Sequence, residues 1–157
     1  MANTYTQLNI QLIFSVQGRD CILKNSFRKE VFKYISGILK ENNQYPLAVN
    51  GYLDHIHAFF ELNPKDSISD IARIVKSNSS KWINNNNFIG TKFHWQEGYG
   101  AFSYSRSQRD KVIKYIANQE QHHKKKSFKN EYHDFLKAFE IEYDEKYMFQ
   151  WVDLSDI

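Results

Sequence analysis

The sequence of 157 residues is poor in the residues that cross-link or interrupt a chain, with one cysteine, two prolines and six glycines. The single Cys21 excludes an internal disulfide, and the scarcity of proline and glycine predicts long regular elements. No apolar run approaches the ~20 residues of a membrane span, and no signal-peptide pattern opens the chain. We therefore expect one cytoplasmic domain over residues 1–157, with no membrane partner.

Aromatic residues, by contrast, are abundant, and the charge is unevenly distributed. Phe, Tyr and Trp make up 16% of the chain, within the 41% hydrophobic and 25% charged fractions of an ordinary globular protein. The formal net charge is +3, but residues 106–130 carry eight basic and two acidic side chains, whereas residues 131–157 carry two basic and eight acidic ones. This basic block favours a polyanionic partner, although a solvated helix face would also explain it.

Hydrophobic periodicity predicts an alternation of strands and helices. The predicted strands are residues 5–16, 47–53, 55–62 and 101–105, and the predicted helices are residues 26–41, 67–84 and 107–123. The first strand has one apolar and one mostly polar face, which predicts half-burial. Residues 128–139 favour a further short helix.

The order of these elements predicts the fold. Strand, helix, strand, strand, helix, strand, helix is the split-βαβ pattern. We therefore expect an α+β, ferredoxin-like (RRM-like) antiparallel sheet, with helices on one face and an added C-terminal helix. Capping-box spacings at Ser67 with Asp70 and at Ser107 with Asp110 predict where the second and third helices begin.

Two histidines form the first candidate site. On a strand, His55 and His57 project from the same face, opposite its aliphatic side chains. Two neutral imidazoles so placed can bind one metal ion. Surface histidines, or buried ones with hydrogen-bond partners, show the same spacing. Asp54 either orients one of the imidazoles as an acceptor or is a turn residue.

Tyr115 and Gln119 form the second candidate. In the helix over residues 107–123, Tyr115 points about 130° away from the centre of the apolar stripe, which is not the place of a core aromatic residue. Gln119 lies at i+4 and offers an amide oxygen. An exposed tyrosine at a helix surface is the alternative. A tyrosine, an amide, flanking lysines and a histidine pair together nevertheless point to chemistry.

Three segments carry a family resemblance, namely residues 54–57 (Asp-His-Ile-His), 95–103 (Trp-Gln-Glu-Gly-Tyr-Gly-Ala-Phe-Ser) and 115–119 (Tyr-Ile-Ala-Asn-Gln). In order and spacing they resemble the single-tyrosine HUH transposases of bacterial insertion sequences (IS200-like) and their REP-associated relatives. The resemblance extends from the first strand to about Phe149. Each motif alone is unspecific, whereas the ordered set is characteristic.

The resemblance implies a role for each matched residue. His55, His57 and Gln119 would be the metal ligands, and Tyr115 would be the nucleophile on a catalytic helix at about 107–123. Members of this family act on single-stranded DNA, often as a hairpin, with Mg²⁺ or Mn²⁺. They are typically homodimers that can exchange the tyrosine helix, so we expect a cytoplasmic protein that joins the nucleoid when bound to DNA.

The implied reaction is cleavage and rejoining of single-stranded DNA through a 5′-phosphotyrosine. The covalent link would conserve the energy of the phosphodiester bond, which agrees with the absence of a P-loop or dinucleotide-binding glycine pattern. The basic block would bind DNA phosphates, and Phe59, Tyr99 or Tyr104 would stack on unpaired bases. The lysines expected to contact DNA are Lys111, Lys114, Lys124, Lys125 and Lys126.

Two other functions are compatible with the same residues. The first is a domesticated or inactive protein of the same fold that binds single-stranded or hairpin DNA. The second is a small metal-dependent hydrolase built on the histidine pair, which lacks an evident carboxylate or third histidine at a fixed spacing. The acidic segment 131–157 would pack on the basic block, mask it or contact a partner subunit.

Overall fold

The computed structural model describes residues 3–155 and residue 157. Its strands are β1 (Asn9–Ser15), β2 (Tyr45–Gly51), β3 (His55–Glu61) and β4 (Gly100–Tyr104). Its helices are α1 (Asn25–Glu41), α2 (Ile68–Asn85), α3 (Arg109–Ala117), α4 (Gln119–His123) and α5 (Phe128–Ala138). Within the described residues, no helix has both the length and the apolar character needed to cross a membrane.

The four strands form one antiparallel sheet in the order β2-β3-β1-β4. The α1 and α2 crossovers place β1 and β3 at the centre, which is the split-βαβ arrangement. The predicted α+β, ferredoxin-like class is thus confirmed. The antiparallel register pairs Ile13 with His57 and Ser15 with His55, so the histidine pair lies in the middle of the sheet.

Strand β1 is buried along its whole length, so the prediction of half-burial is wrong. Its residues Ile10, Leu12 and Phe14 pack into the main hydrophobic core with α1 and α2. On the opposite face, Ile13 packs with α5. The polar residues of this second face are covered by protein rather than solvent, because the C-terminal helices lie over it.

Two small clusters attach the C-terminal helices to that second face. Val112 and Ile116 of α3 pack on Phe59 of β3. The α5 residues Phe128, Tyr132 and Leu136 pack with Ile13, Phe102 and Phe149. The first part of the acidic segment lies in α5 and packs back on the chain, which is the first of its three expected arrangements. Asp134 of this segment forms an ion pair with Lys126 of the basic block.

The stretch predicted as one helix over residues 107–123 is divided at Asn118, whose backbone is not helical (φ −96°, ψ 16°). The side-chain amide of Asn50 donates hydrogen bonds to the carbonyl oxygens of Ile116 and Ala117 at 2.8 and 3.3 Å. Those carbonyls would otherwise accept from the next turn, so Asn50 favours the break. The break separates α3, which carries Tyr115, from α4, which begins at Gln119.

The two predicted caps have different outcomes. Ser67 accepts a hydrogen bond from the backbone N–H of Asp70, as predicted. The prediction of a capping box at Ser107 with Asp110 is wrong by two residues. The capping box of the structure joins Ser105 and Gln108. A short 3₁₀ turn over Arg106–Gln108 precedes α3, and the cap lies at the start of that turn.

Candidate functional site

His55 and His57 are both fully buried at the beginning of β3, an interior strand of the sheet, on the face covered by α3, α4 and α5. The sequence places them on the strand face opposite the aliphatic side chains. The structure shows that this face is also buried, because the C-terminal helices cover it. The His55 ring stacks on Phe128 of α5, with ring centroids 4.0 Å apart. A buried imidazole requires polar partners at both nitrogens, and the structure provides them.

The Nδ1 atoms of the pair are held from the sheet side. His55 Nδ1 lies 2.7 Å from Asp54 Oδ1, so Asp54 acts as an orienting acceptor. His57 Nδ1 lies 2.8 Å from Gln11 Nε2 on β1, and the Tyr104 hydroxyl donates to Gln11 Oε1 at 2.7 Å. Both imidazoles are therefore fixed with Nε2 pointing towards the helices.

Glu131 on α5 and His123 at the end of α4 complete the cluster. Glu131 Oε1 lies 3.4, 3.1 and 3.2 Å from the Nε2 atoms of His55, His57 and His123 respectively. The sequence pattern indicates neither a carboxylate nor a third histidine for this pair. No periodicity relates His123 to Glu131, because a turn separates their helices and only tertiary packing brings them together.

Gln119, the first residue of α4, is fully buried at the same point. Its Oε1 atom lies 2.9 Å from Nε2 of both His55 and His123, and its Nε2 donates to Glu131 Oε2 at 3.0 Å. The structure thus brings the three residues expected as ligands, His55, His57 and Gln119, to one place. It also adds two side chains that the sequence did not indicate.

Tyr115 lies at the solvent side of this cluster and is half-buried. Its hydroxyl donates a hydrogen bond to Glu131 Oε2 and lies 3.2 Å from His122 Nε2. The Tyr115 ring packs near His57, with ring centroids 6.1 Å apart. The sequence correctly separates Tyr115 from the apolar stripe of its helix, and the structure shows that it faces the carboxylate of α5.

Burial and charge together set the protonation of the cluster. Burial lowers the pKa of His55, but the carboxylates of Asp54 and Glu131 outweigh it and raise that pKa to about 9. Burial lowers the pKa of His57 despite Glu131. Burial alone would raise the carboxyl pKa of Glu131, yet the surrounding histidines hold it far below its ordinary range. At neutral pH the metal-free site therefore contains ionised Glu131 beside protonated His55.

The same carboxylate acts on Tyr115. Burial raises the pKa of the phenol, and the charge of Glu131 and the hydrogen bond to it raise it further. A carboxylate beside a phenol disfavours the phenolate, because two negative charges would then lie together. In the metal-free site Tyr115 is consequently a phenol at neutral pH.

A groove of about 530 Å³ opens beside Tyr115. Its wall includes Tyr104, Phe135 and Phe139, and Lys111 and Lys126 lie at its polar edge. The other three lysines expected to contact DNA are exposed on the surface and do not line this groove. They are Lys114, Lys124 and Lys125.

The aromatic residues expected to stack on bases are found in different environments. Phe59 is fully buried under α3, so the prediction that it stacks on a base is wrong. Its ring fills the small core that attaches the tyrosine helix to the sheet. Tyr104 lines the groove, and Tyr99 is partly exposed elsewhere.

The donor atoms present fit a divalent cation. His55, His57, His123 and Glu131 each offer one ligand atom, and these four atoms lie within 4.8 Å of one another. Imidazole nitrogens and a carboxylate oxygen, oriented from behind by hydrogen bonds, are typical metal ligands. The phenol of Tyr115 and the groove of about 530 Å³ lie next to these donor atoms.

Comparisons with known proteins identify a family and a fold. A family model described as "Transposase IS200 like" matches residues 4–119. A candidate transposase from Deinococcus radiodurans R1 is similar in structure, with a TM-score of 0.60 and 19% identity over 76% of this chain and 95% of that one. No curated protein sequence matches the chain significantly.

A second solved structure is a REP-associated tyrosine transposase bound to a REP hairpin. It has a TM-score of 0.57 and 13% identity, over 78% of this chain and 73% of that one. At such identities these two structures demonstrate a shared fold. The family match ends at Gln119, so His123 and Glu131 lie beyond it.

Proposed function

The chain belongs to the IS200-like transposase family, and on that premise we propose that it cleaves and rejoins single-stranded DNA through a covalent bond to Tyr115. The observation that carries the proposal is the position of the Tyr115 hydroxyl. It lies between the buried cluster of histidines and Glu131 on one side and an open groove on the other. A phosphodiester in that groove would meet the nucleophile and the polar cluster together.

The proposed reaction is an in-line displacement at phosphorus. The Tyr115 oxygen forms a bond to the phosphorus, and the bond from phosphorus to the 3′ oxygen breaks. The products are a 5′-phosphotyrosine and a free 3′-hydroxyl, which takes up one proton. The phenol gives up one proton, for which Glu131 Oε2 is the hydrogen-bonded acceptor. Attack by another 3′-hydroxyl reverses the step and rejoins the strand without hydrolysis.

The metal proposed for this reaction is a divalent ion, Mg²⁺ or Mn²⁺ in the family resemblance. His55, His57 and Gln119 would hold it, since their nitrogen and oxygen atoms meet beneath Tyr115. A divalent ion bound there would neutralise the carboxylate beside the phenol and stabilise negative charge on the scissile phosphate. The protein itself orients the ligands through Asp54 and Gln11.

The proposed substrate is single-stranded DNA next to a hairpin. The REP-associated relative is bound to a hairpin, which supports this choice for a chain of the same fold. Lys111 and Lys126 at the groove are placed to neutralise phosphates, and Tyr104 and Phe139 line a wall on which an unpaired base can stack. The exposed lysines beyond the groove would extend the contact along the strand.

The unit that performs this reaction is proposed to be residues 1–157 acting as a homodimer. The family resemblance implies exchange of the tyrosine helix between subunits. Within this chain, however, Tyr115 lies beside its own His57 and Glu131. This contact supports catalysis in which one chain contributes both the nucleophile and the histidines.

A single assay tests the proposal. The protein is incubated with end-labelled single-stranded hairpin DNA and Mg²⁺ or Mn²⁺, then separated on a denaturing gel. We expect a labelled protein-DNA adduct that is lost in Tyr115→Phe, while hairpin binding is retained. Tyr147→Phe removes an equally small group from a tyrosine that is 80% exposed and should leave the adduct unchanged.

Other results would each point elsewhere. Hairpin binding without any adduct would favour the DNA-binding protein without catalysis. A free 5′-phosphate with no protein attached would favour the metal-dependent hydrolase. An adduct that survives Tyr115→Phe would show that another residue is the nucleophile.

A further inference from the structure

We infer that the metal site is a transition-metal centre in which His123 and Glu131 join His55 and His57 as direct ligands. This inference rests on the proposed metal-dependent function and changes both its ligand set and its ion. The site would take a first-row divalent ion such as Zn²⁺ or Co²⁺ in preference to Mg²⁺. Neither His123 nor Glu131 lies within the segment that matches the family model.

The first support is the spacing of the ligand atoms. Tetrahedral bonds of about 2.0–2.1 Å place neighbouring ligand atoms about 3.3 Å apart. Glu131 Oε1 lies 3.4, 3.1 and 3.2 Å from the three imidazole Nε2 atoms. These three separations are close to the edges of such a polyhedron that meet at Glu131 Oε1, and all four ligand atoms lie within 4.8 Å of one another.

The second support is the hydrogen-bond partner of the Nδ1 atom of each imidazole. Ligating histidines characteristically donate their other N–H to a carboxylate or backbone carbonyl, which fixes the ring and leaves Nε2 free for the metal. His55 Nδ1 faces Asp54 Oδ1 at 2.7 Å, and His123 Nδ1 faces the carbonyl oxygen of Lys126 at 2.7 Å. His123 is thus oriented in the same way as His55.

His57 can be oriented in the same way, with Nδ1–H donating and Nε2 free for the metal, if the side-chain amide of Gln11 turns over. Its Nδ1 faces Gln11 Nε2, a donor, so ligation by Nε2 requires the Gln11 amide to turn over and accept from Nδ1–H. The Tyr104 hydroxyl, which now donates to Gln11 Oε1, can instead accept from the turned amide. A hydroxyl serves both roles, so no buried group loses its partner.

The third support is the chemistry of the donor set. Mg²⁺ favours oxygen ligands in octahedral geometry and retains water, whereas imidazole suits zinc and other first-row transition ions. Of the four ligand atoms, three are imidazole nitrogens and only one is a carboxylate oxygen, so the set suits such a transition ion better than Mg²⁺. Gln119 Oε1, which lies 2.9 Å from His55 and His123, provides one neutral oxygen at the edge of the set.

The two carboxylate oxygens of Glu131 have different partners. Oε1 faces the imidazoles, while Oε2 accepts from Tyr115 and Gln119. If Glu131 binds the metal through Oε1, its Oε2 still accepts the hydrogen bond from Tyr115. Metal binding would then directly change the charge next to the phenol. Gln119 is then also a positioning residue for that carboxylate.

Metal binding to the whole chain without DNA tests the inference. The protein is freed of metal with a chelator and titrated with Co²⁺, whose visible absorption reports its ligand environment. We expect one ion per chain, displacement by Zn²⁺, and no displacement by a large excess of Mg²⁺. His123→Gln and Glu131→Gln should each weaken Co²⁺ binding at least about tenfold and change the spectrum. His94→Gln changes an exposed histidine outside the cluster; it is the matched control and should change neither.

The outcomes separate this inference from the proposed function. Unchanged Co²⁺ affinity in His123→Gln and Glu131→Gln, with loss only in His55→Gln, would overturn the inference and leave the Tyr115 adduct untouched. Displacement of Co²⁺ by Mg²⁺ would overturn the choice of ion. A tight Co²⁺ site without any DNA adduct would support the metal centre and reject the proposed reaction. Far-UV circular dichroism of each metal-free variant confirms that it is folded.

Discussion

The Tyr115 hydroxyl donates its hydrogen bond to the Glu131 carboxylate, a residue of a different helix that lies beyond the family match. This single contact joins the candidate nucleophile to the histidine cluster, because the other oxygen of Glu131 faces His55, His57 and His123. Burial raises the pKa of the phenol, and this contact raises it further, since the carboxylate opposes a second negative charge. The pKa of Tyr115 therefore depends on the charge of Glu131 as well as on burial.

Glu131→Gln is expected to lower the pKa of Tyr115 in the metal-free protein. The amide keeps the shape of the side chain but removes the negative charge that disfavours the phenolate. An ultraviolet titration of phenolate absorption should show one tyrosine ionising at lower pH, and that transition should disappear in a variant that also carries Tyr115→Phe. Identical titration curves for the original protein and Glu131→Gln would contradict the electrostatic role given to this carboxylate.

The metal-free protein is expected to lose stability as the pH rises from about 6.5 to about 9. The pKa of His55 in the folded protein, about 9, lies above its ordinary value of 6.5. The stability from His55 is therefore complete below the unfolded value and is lost as the pH passes the folded one. The difference corresponds to at most about 3 kcal/mol. Urea unfolding with a chelator present measures this loss.

Asp54→Asn provides the control for that pH dependence. Without the carboxylate beside Nδ1, the pKa of His55 should fall, and the loss of stability between these pH values should become smaller. Asp110→Asn changes an exposed carboxylate on α3 and should leave the profile as it is. A profile that is the same in all three proteins would show that His55 does not titrate in this range.

Lys111→Ala together with Lys126→Ala is expected to weaken single-stranded DNA binding and make it less sensitive to salt. Each phosphate contact on a single strand contributes about 0.7 to the slope of log affinity against log salt, so losing two contacts should reduce the slope by about 1.4. Fluorescence anisotropy at several salt concentrations measures the slope. Lys65→Ala removes an exposed lysine outside the groove, and an equal reduction there would reject a specific role for the groove.

Gly51→Ala is expected to destabilise the protein and disturb His55. A methyl group at Gly51 would overlap the backbone carbonyl oxygen of His55 in the adjacent strand, and backbone cannot move as a side chain does. Overpacking of this kind costs about 1–3 kcal/mol. Gly37→Ala in α1 meets no atom within 4 Å and should instead stabilise the helix by about 0.5–1 kcal/mol. Thermal unfolding of both variants separates these opposite effects.

The sequence predicts the fold well because the order and periodicity of its elements are local properties. The strand that carries His55 and His57, and the capped start of α2 at Ser67, are found where the pattern places them. The errors arise where an element meets another part of the chain. The polar face of β1 is buried because α5 covers it, and the tyrosine helix breaks at Asn118 beside the Asn50 side chain.

For the site, the sequence by itself determined the residues whose partners are close in the chain. His55 and His57 share a strand face, so local geometry is enough to pair them. Tyr115 and Gln119 are close in the chain, although the break at Asn118 places them on different helices. Only the tertiary structure decided that the two pairs meet, and that His123 and Glu131 meet them. Glu131 comes from a helix separated by a turn, and no repeating pattern marks a residue whose partners lie on β3, α3 and α4. The composition therefore indicates a protein suited to a polyanion, whereas the packing of α5 against the sheet brings the candidate ligands together and sets the charge around Tyr115.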